Sequence, residues 1–315
     1  MQLVEVSMNK VTISLDFELG WGVLDSELWC RREESGLYEN LRDKLDLVFD
    51  SLADREVPTT WATVAGMLVP PLAESRLDHL PAEYKKAVVA FQKNAKRSTI
   101  DARDIVDKHW SRVESFSEIA SHTTTHIYPE FPGVTSACYR EDVSLSLKIL
   151  EQYFGKTVES MVFTRDDTTF LASVADICNL NLRTECPAYG RRNDGSITKI
   201  AKGCRRYLEN VPRSTVAPSM RGSTTQSGSL YFNWSGGRYS ALKKVQLEVQ
   251  VRRLLRVLNS EVSGDYHIWL HPFNLAETAD HTSRFLWFID RLVSLRDAGQ
   301  IEIVTMKGFS HGIAG

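Results

Sequence analysis

Two histidines four residues apart stand in the run Glu118-Ile119-Ala120-Ser121-His122-Thr123-Thr124-Thr125-His126. On one helical turn that spacing points both imidazoles the same way, where they can share one metal ion. An Asp-x-Glu pair, Asp16 and Glu18, closes the first apolar run, and strand periodicity sends both carboxylates to one face. One can bind metal while the other takes a proton from water. Two like charges held close raise at least one pKa, which suits a base. His271 ends a late apolar run, in His271-Pro272-Phe273-Asn274, where an imidazole can donate to a leaving group or a developing oxyanion. Arg165 follows another strand-like run and can hold the base carboxylate charged and in place. A carboxylate, paired histidines and a late histidine can hold one divalent metal and run a hydrolysis. Each signal has a bland counterpart: surface histidines on a Thr-rich turn, a solvated strand terminus, an exposed ion pair of little worth. Their shared placement at strand ends favours the chemical reading.

The elements that must position these groups follow from pattern. Val11-Thr12-Ile13-Ser14-Leu15 is a short buried strand that stops at Asp16 and gives way to Gly20-Trp21-Gly22. Leu41, Leu45, Val48, Phe49 and Leu52 recur at helical spacing within residues 37–53. Thr59-Thr60-Trp61-Ala62-Thr63-Val64-Ala65-Gly66 is a second strand entering a glycine turn. Strand, helix, strand is the start of a parallel sheet. Residues 70–112 are charged and helix-prone and read as an insertion. Phe116 to Ala120 is a strand that delivers His122. Helices are expected over 135–154, 170–180, 240–260 and 282–298. Strands are expected over 158–163, 181–185, 266–270 and 301–304. Residues 191–237 are rich in Gly, Ser, Thr and Arg and read as an irregular insertion. Strand and helix thus alternate about seven times, with polar residues just after strand ends, as in α/β barrels. No linker divides the chain, so residues 1–315 are expected to form one domain.

Bulk properties exclude several classes. With 43% hydrophobic and 25% charged residues over 315 positions, core material is ample. A net charge of −2, from 38 basic and 40 acidic residues, gives no field for nucleic acid. Five cysteines at irregular spacing, with no CxxC pair, argue against a disulfide framework and against a thiolate zinc site. No signal peptide is visible at Met1-Gln2-Leu3-Val4 and no run is long enough to span a bilayer, so a cytoplasmic protein without stable membrane insertion is expected.

These residues resemble the motifs of the polysaccharide deacetylase family, the carbohydrate esterase group that shares the NodB homology domain. Ser14-Leu15-Asp16-Phe17-Glu18 is similar to the family's Thr-Phe-Asp-Asp-Gly. His122-Thr123-Thr124-Thr125-His126 matches His-Ser/Thr-x-x-His in full. Trp61-Ala62-Thr63-Val64-Ala65-Gly66 resembles the Ala-Thr-Phe-Phe strand, Phe163-Thr164-Arg165 the arginine motif, and Leu270-His271-Pro272 the closing Leu-His. The match runs from about Val11 to Met306, with insertions. The resemblance implies a distorted (β/α)7 TIM-like barrel with helical and loop insertions. It implies a divalent metal, zinc above all, with iron, cobalt and nickel as alternatives, held by Glu18, His122 and His126. Asp16 is then the base, with the reverse assignment of Asp16 and Glu18 still open, and His271 the acid.

The chain departs from the family in three places. A phenylalanine separates its first two acids, Asp166-Asp167 replaces the proline and aromatic after the arginine, and the fourth motif's acid has only Glu185 or Asp167 as substitute. The implied activity is removal of an N-acyl group, N-acetyl above all, from an amino sugar, nucleotide-sugar or glycan in bacterial surface-polysaccharide or O-antigen biosynthesis. A related amidohydrolase (a deformylase, or a cyclic imide or ureide hydrolase) would use the same groups, and a non-catalytic carbohydrate binder would tolerate the altered motifs. Trp21 and Trp234, with Asn274, are taken as candidate substrate contacts; Trp29 and Tyr128 also lie near presumed loops, where packing is the commoner role.

Overall fold

The computed structural model describes residues 8–175, 177, 181–184, 224–234, 240–260 and 264–311. Nine strands are assigned among them: β1 (Asn9–Phe17), β2 (Thr60–Thr63), β3 (Glu118–Ser121), β4 (Ser160–Val162), β5 (Asn181–Thr184), β6 (Thr224–Ser227), β7 (Leu230–Tyr231), β8 (Tyr266–Leu270) and β9 (Ile301–Val304). They form one sheet in the order β6-β5-β4-β3-β2-β1-β8-β7, with β9 added beside the first half of β1. The pairings are parallel. Only Gly228 and Ser229 separate β6 from β7, so one stretch of chain pairs with β5 through its first half and with β8 through its second. The sheet therefore curls back on itself. Counting β6–β7 as one position beside β1, β2, β3, β4, β5 and β8 gives the expected seven.

β1 explains the sorting of faces. Val11, Ile13 and Leu15 are fully buried, and full burial of such side chains stabilises by about 1.5–3 kcal/mol each. The opposite parity carries Thr12, Ser14 and Asp16, which look into the barrel. The described helices are α1 (Leu28–Glu34), α2 (Leu37–Asp54), α3 (Ala82–Asn94), α4 (Arg97–Ile100), α5 (Arg103–His109), α6 (Ser136–Phe154), α7 (Leu171–Val174), α8 (Ser240–Leu258), α9 (Asn274–Glu277), α10 (His281–Asp297) and α11 (Met306–His311). α2 buries Leu41, Leu45, Val48, Phe49 and Leu52, the stripe read from spacing. α6 starts where Thr135 Oγ1 accepts from Cys138 N at 3.2 Å and stops at Gly155, whose left-handed backbone suits glycine. At the amino-terminal end of the strands Met306 packs with Ala62, Ala120 and Val162 and plugs the barrel.

Several sequence expectations change. The insertion over 70–112 is helical as expected, being α3, α4 and α5. The segment 191–237 is not wholly irregular: 224–231 supplies β6 and β7, while 191–223 lies outside the described residues. Its strands went unseen because the residues facing the barrel are polar, so the run lacks a hydrophobic alternation. In 170–180 the described helix is the single turn α7. No helix among the described residues is long and apolar enough to cross a membrane.

Candidate metal centre

Glu18, His122 and His126 converge at the carboxyl ends of β1 and β3, all three buried. Their ligand atoms lie within 4.8 Å of one another. Glu18 Oε2 is 3.0 Å from His126 Nε2 and 3.5 Å from His122 Nε2. The two histidines do not sit on a helical turn, as the spacing suggested. They stand on a loop in which Thr123 (φ 65°) and His126 (φ 60°) are left-handed, and these reversals bring the rings together. Leu19, Arg165 and Asp166 also have positive φ, just after β1 and β4. Strained backbone thus gathers at one end of the barrel, where surrounding structure must hold it.

The histidine loop is pinned at nearly every peptide. His122 N donates to Thr63 O, Ala65 N to Thr123 O, Gly66 N to Thr124 O, and Tyr84 Oη to Thr125 O, all at 2.9–3.0 Å. A Cβ on Gly66 would lie 2.7 Å from Thr124 O and 2.8 Å from the Trp21 ring, so only glycine permits this approach. Asp142 of α6, fully buried, accepts from Thr124 N at 2.8 Å and Thr125 N at 3.1 Å through one oxygen. Its other oxygen meets Thr125 Oγ1 at 3.2 Å and His79 Nε2 at 3.0 Å. Gly22 plays a matching part for Glu18: a side chain there would overlap the Glu18 carboxylate. Neither Asp142 nor Gly22 was found from sequence; Gly20-Trp21-Gly22 was the visible signal for the second.

The donor set fits a cation. His122 Nδ1 lies 2.9 Å from Val162 O, which can only accept, so the ring proton sits on Nδ1 and Nε2 presents a lone pair. Glu18 Oε2 is buried and accepts no hydrogen bond of normal geometry from the described residues. Lone pairs of nitrogen and carboxylate thus face one another in a buried site, which a divalent ion satisfies. Charges are tuned accordingly. Burial would push the Glu18 carboxyl up, but His271, His126 and His122 outweigh it and hold it well below the usual range. Burial lowers the His126 pKa. For His122 the same burial is outweighed by Glu18 and Asp16, which raise it.

Asp16 lies beside this trio. It is buried and gripped by Arg183 of β5 through two bonds of 2.6 Å. Burial raises the Asp16 pKa, yet Arg183 overcomes it and the carboxyl stays below its ordinary range. Arg183 also bonds Asp166 Oδ1 at 3.0 Å and Ser14 Oγ at 3.0 Å, and lies over the Trp269 ring at 4.4 Å. For Asp166 burial wins and the pKa is raised. Arg165 was expected to hold the base. Instead it turns outward onto the Tyr128 ring, 3.4 Å from its centroid, and pairs with Asp25 at 3.2 Å. Its left-handed backbone at the end of β4 redirects the side chain, and Arg183, unflagged by any local motif, takes the place. Asp167 caps its own turn at Thr169 N, 2.9 Å away, so the acid that reaches the arginine is Asp166. Glu185 lies outside the described residues.

His271 ends β8 with Nε2 3.6 Å from Glu18 Oε1 and 3.9 Å from Asp16 Oδ2. Its side chain is 20% exposed, against 3% for Asp16, so it stands at the mouth. His267, two strand periods earlier, is a core residue bonded to Ser14 Oγ at 2.8 Å. The proposed substrate contacts need correction. Trp21 is fully buried, with Nε1 bonded to Ile100 O at 3.1 Å and its ring against Phe91. Trp234 is buried and stacked on His281 at 3.9 Å. Neither offers a ring face to a sugar, because each closes a core contact. Asn274 is also buried and bonds the His271 backbone and Glu277.

No family model matches the sequence, and no curated protein does either. Solved structures do resemble it. One is a protein of Mycobacterium smegmatis described as a polysaccharide deacetylase, 12% identical, with a TM-score of 0.55 over 100% of this chain and 93% of that one. Another, from Pseudomonas aeruginosa PAO1 and described in the same way, is 13% identical, with a TM-score of 0.53 over 90% of this chain and 85% of that one. The curled parallel sheet with its covering helices is therefore the NodB-type (β/α) barrel fold of the polysaccharide deacetylases.

Proposed function

We propose that the protein is a metal-dependent hydrolase that removes an N-acyl group, N-acetyl above all, from an amino sugar. The observation that carries this reading is the buried Glu18 Oε2, which faces two imidazole nitrogens and accepts no hydrogen bond of normal geometry from the described residues. Glu18, His122 and His126 would hold a divalent ion, zinc or another metal suited to two nitrogens and an oxygen. Such an ion supplies polarisation of the amide carbonyl and acidification of water at neutral pH. The remaining groups move protons. Arg183 keeps Asp16 ionised, so its carboxylate is free of a proton when the attacking water must lose one. His271, the more exposed partner, faces both acids through Nε2 and can deliver a proton to the departing amine. Buried walls exclude bulk water and strengthen each of these interactions. The proposed setting is bacterial surface-polysaccharide or O-antigen assembly, with an N-acetylated sugar nucleotide or glycan as substrate.

The test is acetate release from N-acetylated sugar nucleotides and chitooligosaccharides, with protein stripped of metal and reloaded with zinc or cobalt. The reading predicts release that requires metal and disappears in His126→Ala. Stoichiometric metal with no acetate from any member of the panel contradicts it.

A further inference from the structure

His271 is held by a network that determines which of its two nitrogens exchanges a proton. Asn274 sets the direction. Its Nδ2 donates to the Glu277 carboxylate at 3.2 Å, and its Oδ1 accepts the His271 backbone N–H at 3.3 Å. Oδ1 is thus fixed as an acceptor, and the Tyr231 hydroxyl, 3.1 Å away, must donate its single proton to it. Asn233 Nδ2 meets the same phenol oxygen at 3.0 Å as a donor. His271 Nδ1 lies 3.1 Å from that oxygen. With the phenol proton committed, the Nδ1 contact works only if Nδ1 carries the hydrogen.

We propose that Tyr231 is a positioning residue that locks His271 with its proton on Nδ1, leaving Nε2, which faces Asp16 and Glu18, as the atom that trades a proton with the substrate. The inference rests on the hydrolase reading for its catalytic meaning, though the tautomer itself does not. Turning the ring over would put carbon atoms at both contacts, against the phenol and against the acids. The ring is further confined by Phe273, stacked at 5.0 Å, and by the edge of Trp269 at 5.7 Å. The phenol does this without charge, a different device from a carboxylate partner, which would also stabilise the imidazolium. The proton balance closes through the imidazolium: Nε2 of the Nδ1–H tautomer first takes a proton from water at the mouth, gives that same proton to the leaving nitrogen, and returns to the neutral Nδ1–H form.

Tyr231→Phe tests this cleanly, because the ring stacks on Trp269 at 4.0 Å and phenylalanine retains that packing. Long-range proton–nitrogen correlation on histidine-labelled, metal-free protein, above the imidazole pKa range and assigned with His271→Gln, reads the tautomer directly. The expected result is a protonated Nδ1 and a pyridine-type Nε2 in wild type, with the Nε2–H form dominant in Tyr231→Phe. A wild-type His271 protonated at Nε2, or a tautomer unchanged in the variant, overturns the proposal. In metal-loaded protein with an accepted substrate, kcat should fall on the order of tenfold to a hundredfold, with KM nearly constant. A raised KM with intact kcat would make Tyr231 a substrate contact and overturn the positioning role. Absence of turnover in wild type would sink the hydrolase reading and leave the nitrogen spectra to judge the tautomer alone.

Discussion

Asp142 lies on a helix, touches no catalytic group, and should nevertheless govern whether the histidine loop exists. Its carboxylate is fully buried and takes two backbone N–H groups, from Thr124 and Thr125, with the Thr125 hydroxyl and His79. Alanine strands both amides. Each buried donor left unsatisfied costs about 1–3 kcal/mol, and loss of the tie to His79 adds to it, so Asp142→Ala should lose about 3–6 kcal/mol of stability. Asparagine separates this cause from a simple need for volume. Its single oxygen has two lone pairs and can accept both amides, while Thr125 Oγ1 and His79 turn to accept from Nδ2. Only the charge assistance goes, about 1–2 kcal/mol. The assay is urea unfolding of metal-free protein, so that metal linkage does not contribute, with metal affinity measured separately against a competing chelator. Asp142→Ala should bind metal about 10–100-fold more weakly, and Asp142→Asn should stay near wild type. Equal stability and equal metal affinity for wild type and Asp142→Ala would refute the argument.

Arg183→Lys loses the paired bonds to Asp16 and should cut kcat by about a hundredfold or more, whereas Arg165→Ala should cost less than about tenfold; acetate release compares them. Gly22→Ala pushes a methyl into the Glu18 carboxylate, and a chelator titration should show metal affinity down by at least about tenfold. Burial lowers the His79 pKa, but the bond that its imidazole donates to the Asp142 carboxylate outweighs it and holds the imidazole above its ordinary 6.5. A raised folded value contributes stability that is full below the unfolded pKa and is lost as pH rises through the folded one. Thermal melts at rising pH, from below about 6 to above about 8, should therefore show wild type losing more stability than His79→Gln; parallel curves would contradict the assignment.

Much of the fold was legible because one parity of β1 and of β8 is apolar and α2 carries a clean stripe. Glu18, His122, His126 and His271 could be singled out because each follows a strand, where a barrel exposes its loops. What stayed hidden has physical reasons. Arg183 grips an acid 167 residues away in sequence, and nothing local marks an arginine on the inward face of β5. Tyr231 lies in a Ser- and Gly-rich stretch whose strands face a polar interior, so hydrophobic alternation is missing there. Trp21 and Trp234 looked like sugar platforms because they sit near turns, yet turns at a barrel mouth must be packed as well. The i,i+4 histidine spacing suggested a helical turn; two left-handed residues achieve the same convergence in a loop.

The central claim is that Glu18, His122 and His126 form the metal site and Asp16 does not. Metal content should be measured after equilibration with zinc and desalting, for wild type, Glu18→Ala, His122→Ala and Asp16→Asn. The account predicts about one divalent ion per chain in wild type and in Asp16→Asn, and little in the other two. A wild type that retains no metal, or metal lost in Asp16→Asn and kept in Glu18→Ala, would contradict it.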